Sequence, residues 1–176
     1  MCGMYAAPAI LAALRHRDAT GDGQFIDLAL LDTTVAWLNY VGLSYLTSGE
    51  PSARYGNGHP NIVPWEVFPS EDGYFVLTVG NDGQFKAFCE FAKHPELAEN
   101  DDFATNAQRV RNRKVLVPLL REITRQHPSK HWLENLPGLG VVASPAYTVP
   151  EVFEDPQVLA RGMKHEMEHP KSGTGK

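Results

Sequence analysis

The sequence predicts a mixed fold, passing from the edge of an α/β layer into an α+β unit. Three observations carry that prediction. A helix, a short apolar run and a second helix follow one another before residue 50. A stretch rich in Pro, Gly, Ser, Asn and His, from Glu50 to Pro64, then divides the chain as a linker or functional loop. Behind it, a hairpin signal at Asp72-Gly73 leads into several amphipathic helices.

Met4, Ala7, Leu11 and Leu14 recur at helical spacing, with Ala-rich filler of high helix propensity between them. Nothing ahead of that helix can cap it, and Pro8 is tolerated only in a first turn, so the element is expected to start upstream of Met1. Arg15-His16-Arg17 suits a helix C-terminus, and Thr20-Gly21-Asp22-Gly23 reads as the turn after it. Phe25 to Leu30 is expected as a short, largely buried strand. Asp32 and Thr33 then cap a second helix, with Val35, Leu38, Val41, Gly42 and Tyr45 on one face and Ser48-Gly49 at its end.

Trp65–Phe68 and Tyr74–Val79 are expected as strands joined around Asp72-Gly73. Asn81 or Asp82 caps a helix whose Phe85, Phe88, Cys89 and Ala92 fall at i, i+3, i+4 and i+7. A longer helix runs from Ala107 to Arg125 with Leu116, Leu119, Leu120 and Ile123 on its face, bent or shortened by Pro118. Ser129 caps a short helix containing Trp132 and Leu136, Gly140 to Ala143 reads as a strand, and Asp155-Pro156 opens a last helix. Lys171 to Lys176 reads as a polar tail.

Composition removes several classes of function. The chain has 176 residues, 43% of them hydrophobic, enough for a packed core, and a net charge of -5 spread along its length. It has no Lys/Arg block interleaved with aromatics, as a nucleic-acid partner would require. Its apolar runs are far shorter than the roughly 20 residues of a membrane span. Met1 to Leu14 lacks a basic leader region and reads as a buried helix rather than a signal peptide. Cys2 and Cys89 make neither a disulfide framework nor a metal spacing, and the plain expectation is a soluble, cytoplasmic protein.

Two motifs match by letter alone. His165-Glu166-Met167-Glu168-His169 fits H-E-x-x-H, but a zinc protease needs both histidines on one helical face, and Pro170 biases His169 away from helix. No metal is expected there, nor at His127 and His131, which flank the helix boundary at Pro128-Ser129 and read as surface residues. Gly173-Thr174-Gly175-Lys176 lacks the first glycine and the following helix of a phosphate loop. Asp101 and Asp102 read as a solvated loop. Tyr55-Gly56-Asn57-Gly58-His59-Pro60 is different in kind. Its two glycines permit positive φ and a backbone lying close against a ligand, and His59 adds a polar side chain.

Short pieces in fixed order along nearly the whole chain resemble the class III CoA-transferases, a family that also includes the 2-methylacyl-CoA racemases. They are Ala9 to Leu14, Thr20-Gly21-Asp22-Gly23-Gln24, Ile26-Asp27, Leu31-Asp32, Gly56 to Pro60, Asp72-Gly73-Tyr74, Gly80-Asn81-Asp82 and Gln84-Phe85. Phe103 to Asn106, Arg109-Val110, Asn112-Arg113, Val152-Phe153, Asp155-Pro156-Gln157 and Glu168-His169-Pro170 continue them. Members similar to the glutarate and formyl CoA-transferases look closest. Gly140-Val141-Val142-Ala143-Ser144-Pro145 departs from the family's Gly-Val-Pro-x-Gly-Pro, which puts the local turn in doubt.

The resemblance implies transfer of CoA between an acyl-CoA and a small carboxylic acid, with the CoA thioester as substrate and no resident cofactor. An aspartate nucleophile would form a mixed anhydride and then an aspartyl thioester. By the match to Gly3, that aspartate lies about two residues before Met1, so no catalytic residue is expected within the chain. Gly56, Asn57, Gly58, His59 and Pro60 would form the glycine loop that closes over the thioester, and Leu30 would line the same pocket, although a core role suits it equally. Residues 1–50 would belong to a large Rossmann-like domain and 51–64 to the linker with the glycine loop. Residues 65–145 would form the small α+β domain, and 146–176 a segment returning towards the large one. Two complete chains would interlock as a homodimer, and a central fragment would be inactive alone. The open alternatives are a racemase of the same family and a non-catalytic acyl-CoA or partner-binding module.

Overall fold

A computed structural model describes residues 1–169, 171 and 173–175; the Pro170 reading above and Lys176 of the tail lie outside the described residues. The chain divides into two compact units, Met1–Arg54 and the remainder from Tyr55.

The first unit is helical. Helix α1 (Cys2–Thr20) ends where Gly21 takes φ +86° and donates its N–H to Arg17 O at 2.8 Å. Pro8 sits inside α1 rather than in its first turn. None of α1 is buried, contrary to the expected buried helix, and Met4 and Leu11 stand well exposed. The expected strand at Phe25–Leu30 does not form. Residues 22–29 are irregular and Leu30 already opens helix α2 (Leu30–Ala36), with extended Ala29 as its N-cap instead of Asp32 or Thr33. A strand needs a ladder partner, and among the described residues of this unit no other segment is extended beside it. Thr33 lies within the turn, buried, its hydroxyl donating to Leu30 O at 2.9 Å. The single second helix of the sequence reading divides. Asn39 adopts φ +50°, and α3 (Asn39–Ser48) starts afresh before ending at Gly49, φ +75°.

The second unit holds the core. Strands β1 (Trp65–Pro69) and β2 (Tyr74–Thr78) pair antiparallel around Asp72-Gly73, with Val67 opposite Val76. Phe75 and Leu77 alternate inward on β2 and are fully buried beside Phe68. Asn81 caps helix α4 (Asp82–Phe91) by accepting from Gln84 N–H, and the helix buries Phe85, Phe88 and Cys89. A short α5 (Glu96–Glu99), not foreseen, follows.

The long helix expected over Ala107–Arg125 is two helices, α6 (Asn106–Arg111) and α7 (Arg113–Thr124). The break falls at Asn112 (φ −100°, ψ 17°) rather than at Pro118, which stays inside α7. Leu116, Leu120 and Ile123 bury one face of α7. In α8 (Ser129–Asn135), Pro128 is the N-cap in place of Ser129, and the buried Trp132 indole donates to Thr124 O at 3.0 Å. A 3₁₀ turn at Pro137–Leu139 ends on Gly140 at φ +74°, so β3 (Val142–Pro145) starts two residues later than expected. Gly140 makes the local turn, and Ser144 and Pro145 pair with Val76 and Phe75. The sheet order is β1-β2-β3.

Thr148 and Glu151 form a capping box for an unforeseen α9 (Val149–Glu154). Asp155 caps α10 (Pro156–Ala160) as expected. The tail is not irregular throughout: β4 (Met167–His169) pairs antiparallel with β5 (Gly173–Gly175).

Candidate functional site

The glycine loop is held at its roots and exposed at its tip. Gly56 alone of the two glycines has positive φ, +63°. Gly58 closes a turn by donating its N–H to Tyr55 O at 3.0 Å, and a Cβ there would meet that same oxygen at 3.2 Å. Gly56 and Asn57 are exposed, whereas Gly58, His59 and Pro60 are half-buried. The Asn57 side chain accepts from Val67 N–H at 2.9 Å, fastening the tip to β1. His59 donates its backbone N–H to Trp65 O at 2.9 Å and stacks on the Trp65 ring at 5.0 Å. Its Nδ1 accepts from Asn61 N–H at 3.1 Å, which leaves Nε2 to carry the proton of the neutral ring.

Beneath the loop stands a polar pedestal. Asn106, at the start of α6, donates from Nδ2 to Asn61 O at 2.8 Å and accepts from Val63 N–H at 3.1 Å. Arg109 is fully buried. Its Nε donates to Val63 O at 2.7 Å, Nη1 to Phe103 O at 3.0 Å and Ala104 O at 3.2 Å, and Nη2 to Asp82 at 2.8 Å. The guanidinium lies 4.4 Å over the Phe85 ring. Arg113, at the start of α7, donates from Nη2 to His59 O at 2.9 Å and Pro60 O at 2.7 Å. These carbonyls belong to irregular backbone, so side-chain donors replace the ladder that a sheet would supply. Sequence reasoning assigned no role to Asn106, Arg109 or Arg113. Their spacing of i, i+3 and i+7, which puts them on one helical face, was the available signal.

A cleft of about 240 Å³ opens beside Asn57, lined also by Val67, Pro69, Tyr74, Arg121 and Arg125. Its cations are already matched: Arg121 pairs with Glu66 at 2.9 Å and Arg125 with Glu122. Elsewhere, Leu30 sits in the first turn of α2, 74% exposed, in place of the core role that suited it equally. His165 is in an irregular segment and residue 169 ends a strand, so the two are not one helical turn apart. His127 and His131 stack on each other at 4.2 Å, and His131 also packs against Phe91 and Trp132. His127 is exposed as read, but His131 is half-buried packing.

Three aspartates of this unit, Asp72, Asp82 and Asp155, serve structure. Asp72 accepts from Ser129 N–H at 2.7 Å and from the Ser70 hydroxyl at 2.9 Å, tying the hairpin turn to α8. Those bonds, with the Ser129 hydroxyl, hold its carboxyl below the usual range. Asp82 receives Arg109 and Asn106 N–H, and Asp155 receives the first N–H groups of α10.

An open antiparallel sheet packed with helices, with a pinned glycine loop at its edge, defines a mixed α and β protein. The chain belongs to CoA-transferase family III, whose profile matches residues 1–176. It is similar to the succinyl-CoA:glutarate CoA-transferase of Homo sapiens, at 40% identity over 171 residues, which are 97% of this chain and 39% of the human protein. The acetyl-CoA:oxalate CoA-transferase of Acetobacter aceti is 36% identical over 161 residues, 92% of this chain and 41% of that protein. A crystal structure of a CAIB/BAIF family protein from Brucella suis matches with a TM-score of 0.78 and 39% identity, covering 99% of this chain and 49% of that one. The chain thus spans about two fifths of the length of the curated relatives it matches.

Proposed function

We propose that this chain is part of an enzyme that transfers CoA from an acyl-CoA to a small carboxylic acid of the size of succinate, glutarate or oxalate. The reaction runs through an aspartate about two positions ahead of Met1. Its carboxylate attacks the thioester carbonyl, the C–S bond breaks, and CoA leaves as the thiolate from an acyl-aspartyl anhydride. The thiolate then attacks the aspartyl carbonyl, releasing the donor acid and leaving an aspartyl-CoA thioester. The acceptor carboxylate attacks this thioester, and the same steps in reverse form the new acyl-CoA.

Each intermediate is open to water, so the enzyme needs a cover. The observation that carries this reading is the loop Gly56–Pro60, fixed at its exit by Arg113, tied to β1 by Asn57 and without a side chain at Gly56 and Gly58. It supplies that cover. Residues 1–50 belong to the large Rossmann-like domain, residues 65–145 form the small one, residues 146–176 are a segment returning towards the large one, and two complete chains interlock. The 176-residue chain by itself is inactive, since the nucleophile lies outside it, and Asp72, Asp82 and Asp155 are engaged in structural bonds.

The test is CoA exchange from succinyl-CoA to glutarate. The complete enzyme should turn over and trap CoA covalently on the aspartate ahead of Met1, and alanine at that position should abolish both. Transfer catalysed by the isolated 176-residue chain would refute the assignment.

A further inference from the structure

We propose that Arg113 is a positioning residue for the glycine loop, acting with Tyr55 to hold the loop's two ends together. The inference rests on the loop's part in the reaction proposed above. Its geometry is independent of it.

One side chain touches both ends of the loop. Arg113 Nη2 carries two hydrogens and donates to two successive carbonyls, His59 at 2.9 Å and Pro60 at 2.7 Å. The same guanidinium lies 4.8 Å from the centroid of the Tyr55 ring, at the loop's entry. Only Gly56 to Gly58 lies between these anchors, and Gly58 N–H closes back on Tyr55 O. Between the anchors the exposed tip is tied to β1 through the Asn57 side chain, which accepts from Val67 N–H at 2.9 Å.

The chemistry asks for arginine specifically. A planar guanidinium can stack on tyrosine and present a fork of N–H donors at once, whereas an ammonium has no such face. Pro60 has no N–H with which to anchor itself, so its carbonyl is the backbone handle available for pinning the exit of the loop. The break at Asn112 lets α7 begin with Arg113 beneath that exit, while Arg109, on the other side of the break, secures Val63 further along. The loop thus carries a fixed end on each side and a glycine at positive φ in its tip. It can order over a bound thioester without first being gathered from a wider ensemble.

Two measurements test this. In the 176-residue chain, Arg113→Ala should speed hydrogen exchange of the Gly58 and His59 amides by about tenfold or more. Exchange at Leu116, Leu120 and Phe88 should stay unchanged as a control for folding. Arg113→Lys, which keeps the charge and N–H donors but loses the planar face over Tyr55, should fall between. In the complete enzyme, Arg113→Ala should lower transfer by about tenfold or more and raise the ratio of thioester hydrolysis to transfer. A residue that merely stabilised the fold would lower both reactions together. Gly58 and His59 amides that exchange no faster in Arg113→Ala would overturn the clamp. Faster exchange with transfer and hydrolysis both unchanged would overturn the loop's part in the reaction instead.

Discussion

Replacing Arg109 by Met leaves an unbranched apolar side chain in the buried site and removes everything the guanidinium does. Four acceptors lose the guanidinium as donor: the carbonyls of Val63, Phe103 and Ala104, and the Asp82 carboxylate, which keeps Asn106 N–H. They do not lose equally. Asp82 is 55% exposed, so water takes the place of the guanidinium there and the pair counts for little. The bonds to Val63 O and Phe103 O are buried, and a buried acceptor left unmet costs about 1–3 kcal/mol. Two of them give a loss of about 2–6 kcal/mol, reduced somewhat because the buried charge no longer has to be desolvated. The expected destabilisation is therefore about 3–4 kcal/mol, a large share of the roughly 5–15 kcal/mol that holds a typical domain. Urea unfolding followed by far-UV circular dichroism measures it directly. Arg109→Lys, whose ammonium reaches fewer of the four acceptors, should lie between. A loss below about 1 kcal/mol for Arg109→Met would refute the pedestal as a source of stability.

Other outcomes follow from the same geometry. At Gly56, φ is +63° in open space, so Gly56→Val should strain the tip by at least about 1–2 kcal/mol and impair transfer by the complete enzyme; unchanged turnover would detach the tip from function. Gly58→Ala tests space instead of strain, and should weaken the turn at Tyr55 O, seen as faster exchange of the residue 58 amide. Burial, then the nearby charges of His127 and Lys93, lower the pKa of His131. The unfolded chain therefore takes up that proton first, and stability should fall as pH drops below about 6.5 until the lowered value is passed; His131→Phe should flatten the decline of the urea midpoint between pH 7 and about 5. Burial also pushes the Cys89 thiol up to about 12, so a thiol reagent should label Cys2 in the native chain and reach Cys89 only after denaturation.

What the sequence made legible depended on whether local chemistry decided the outcome. Asp72-Gly73 between alternating apolar residues specifies a hairpin by itself, and Asn81 three residues ahead of Gln84 specifies a helix start. The Phe25–Leu30 run misled because apolar length alone does not separate a strand from the lead-in to a helix, and the ladder partner that would decide is not local. Asn112 broke the long helix where Pro118 did not, since the turn around Arg109 and Arg113 is fixed by what those side chains grip across the fold. Thr148-x-x-Glu151 was readable as a capping box and was passed over. At the site, Gly56-x-Gly58 pointed to the right loop. Which glycine takes positive φ, and which arginine lies buried beneath it, depend on contacts 46 to 54 residues apart in the chain.

The order β1-β2-β3 has a consequence for the time course of folding. β1 and β2 are neighbours in sequence and can pair within microseconds of being available, at about 1–10 μs for a hairpin. β3 reaches β2 only after five helices, α4 to α8, have been threaded between them. Closing that span is entropically unfavourable until the helices have collapsed on one another. On a ribosome adding about 5–20 residues per second, the hairpin therefore waits several seconds with Phe68, Phe75 and Leu77 uncovered. The nascent hairpin, more than any later helix, is a stretch that a chaperone has reason to hold, and synonymous changes that slow translation through α4 to α8 should lower soluble yield without altering one residue of the finished protein.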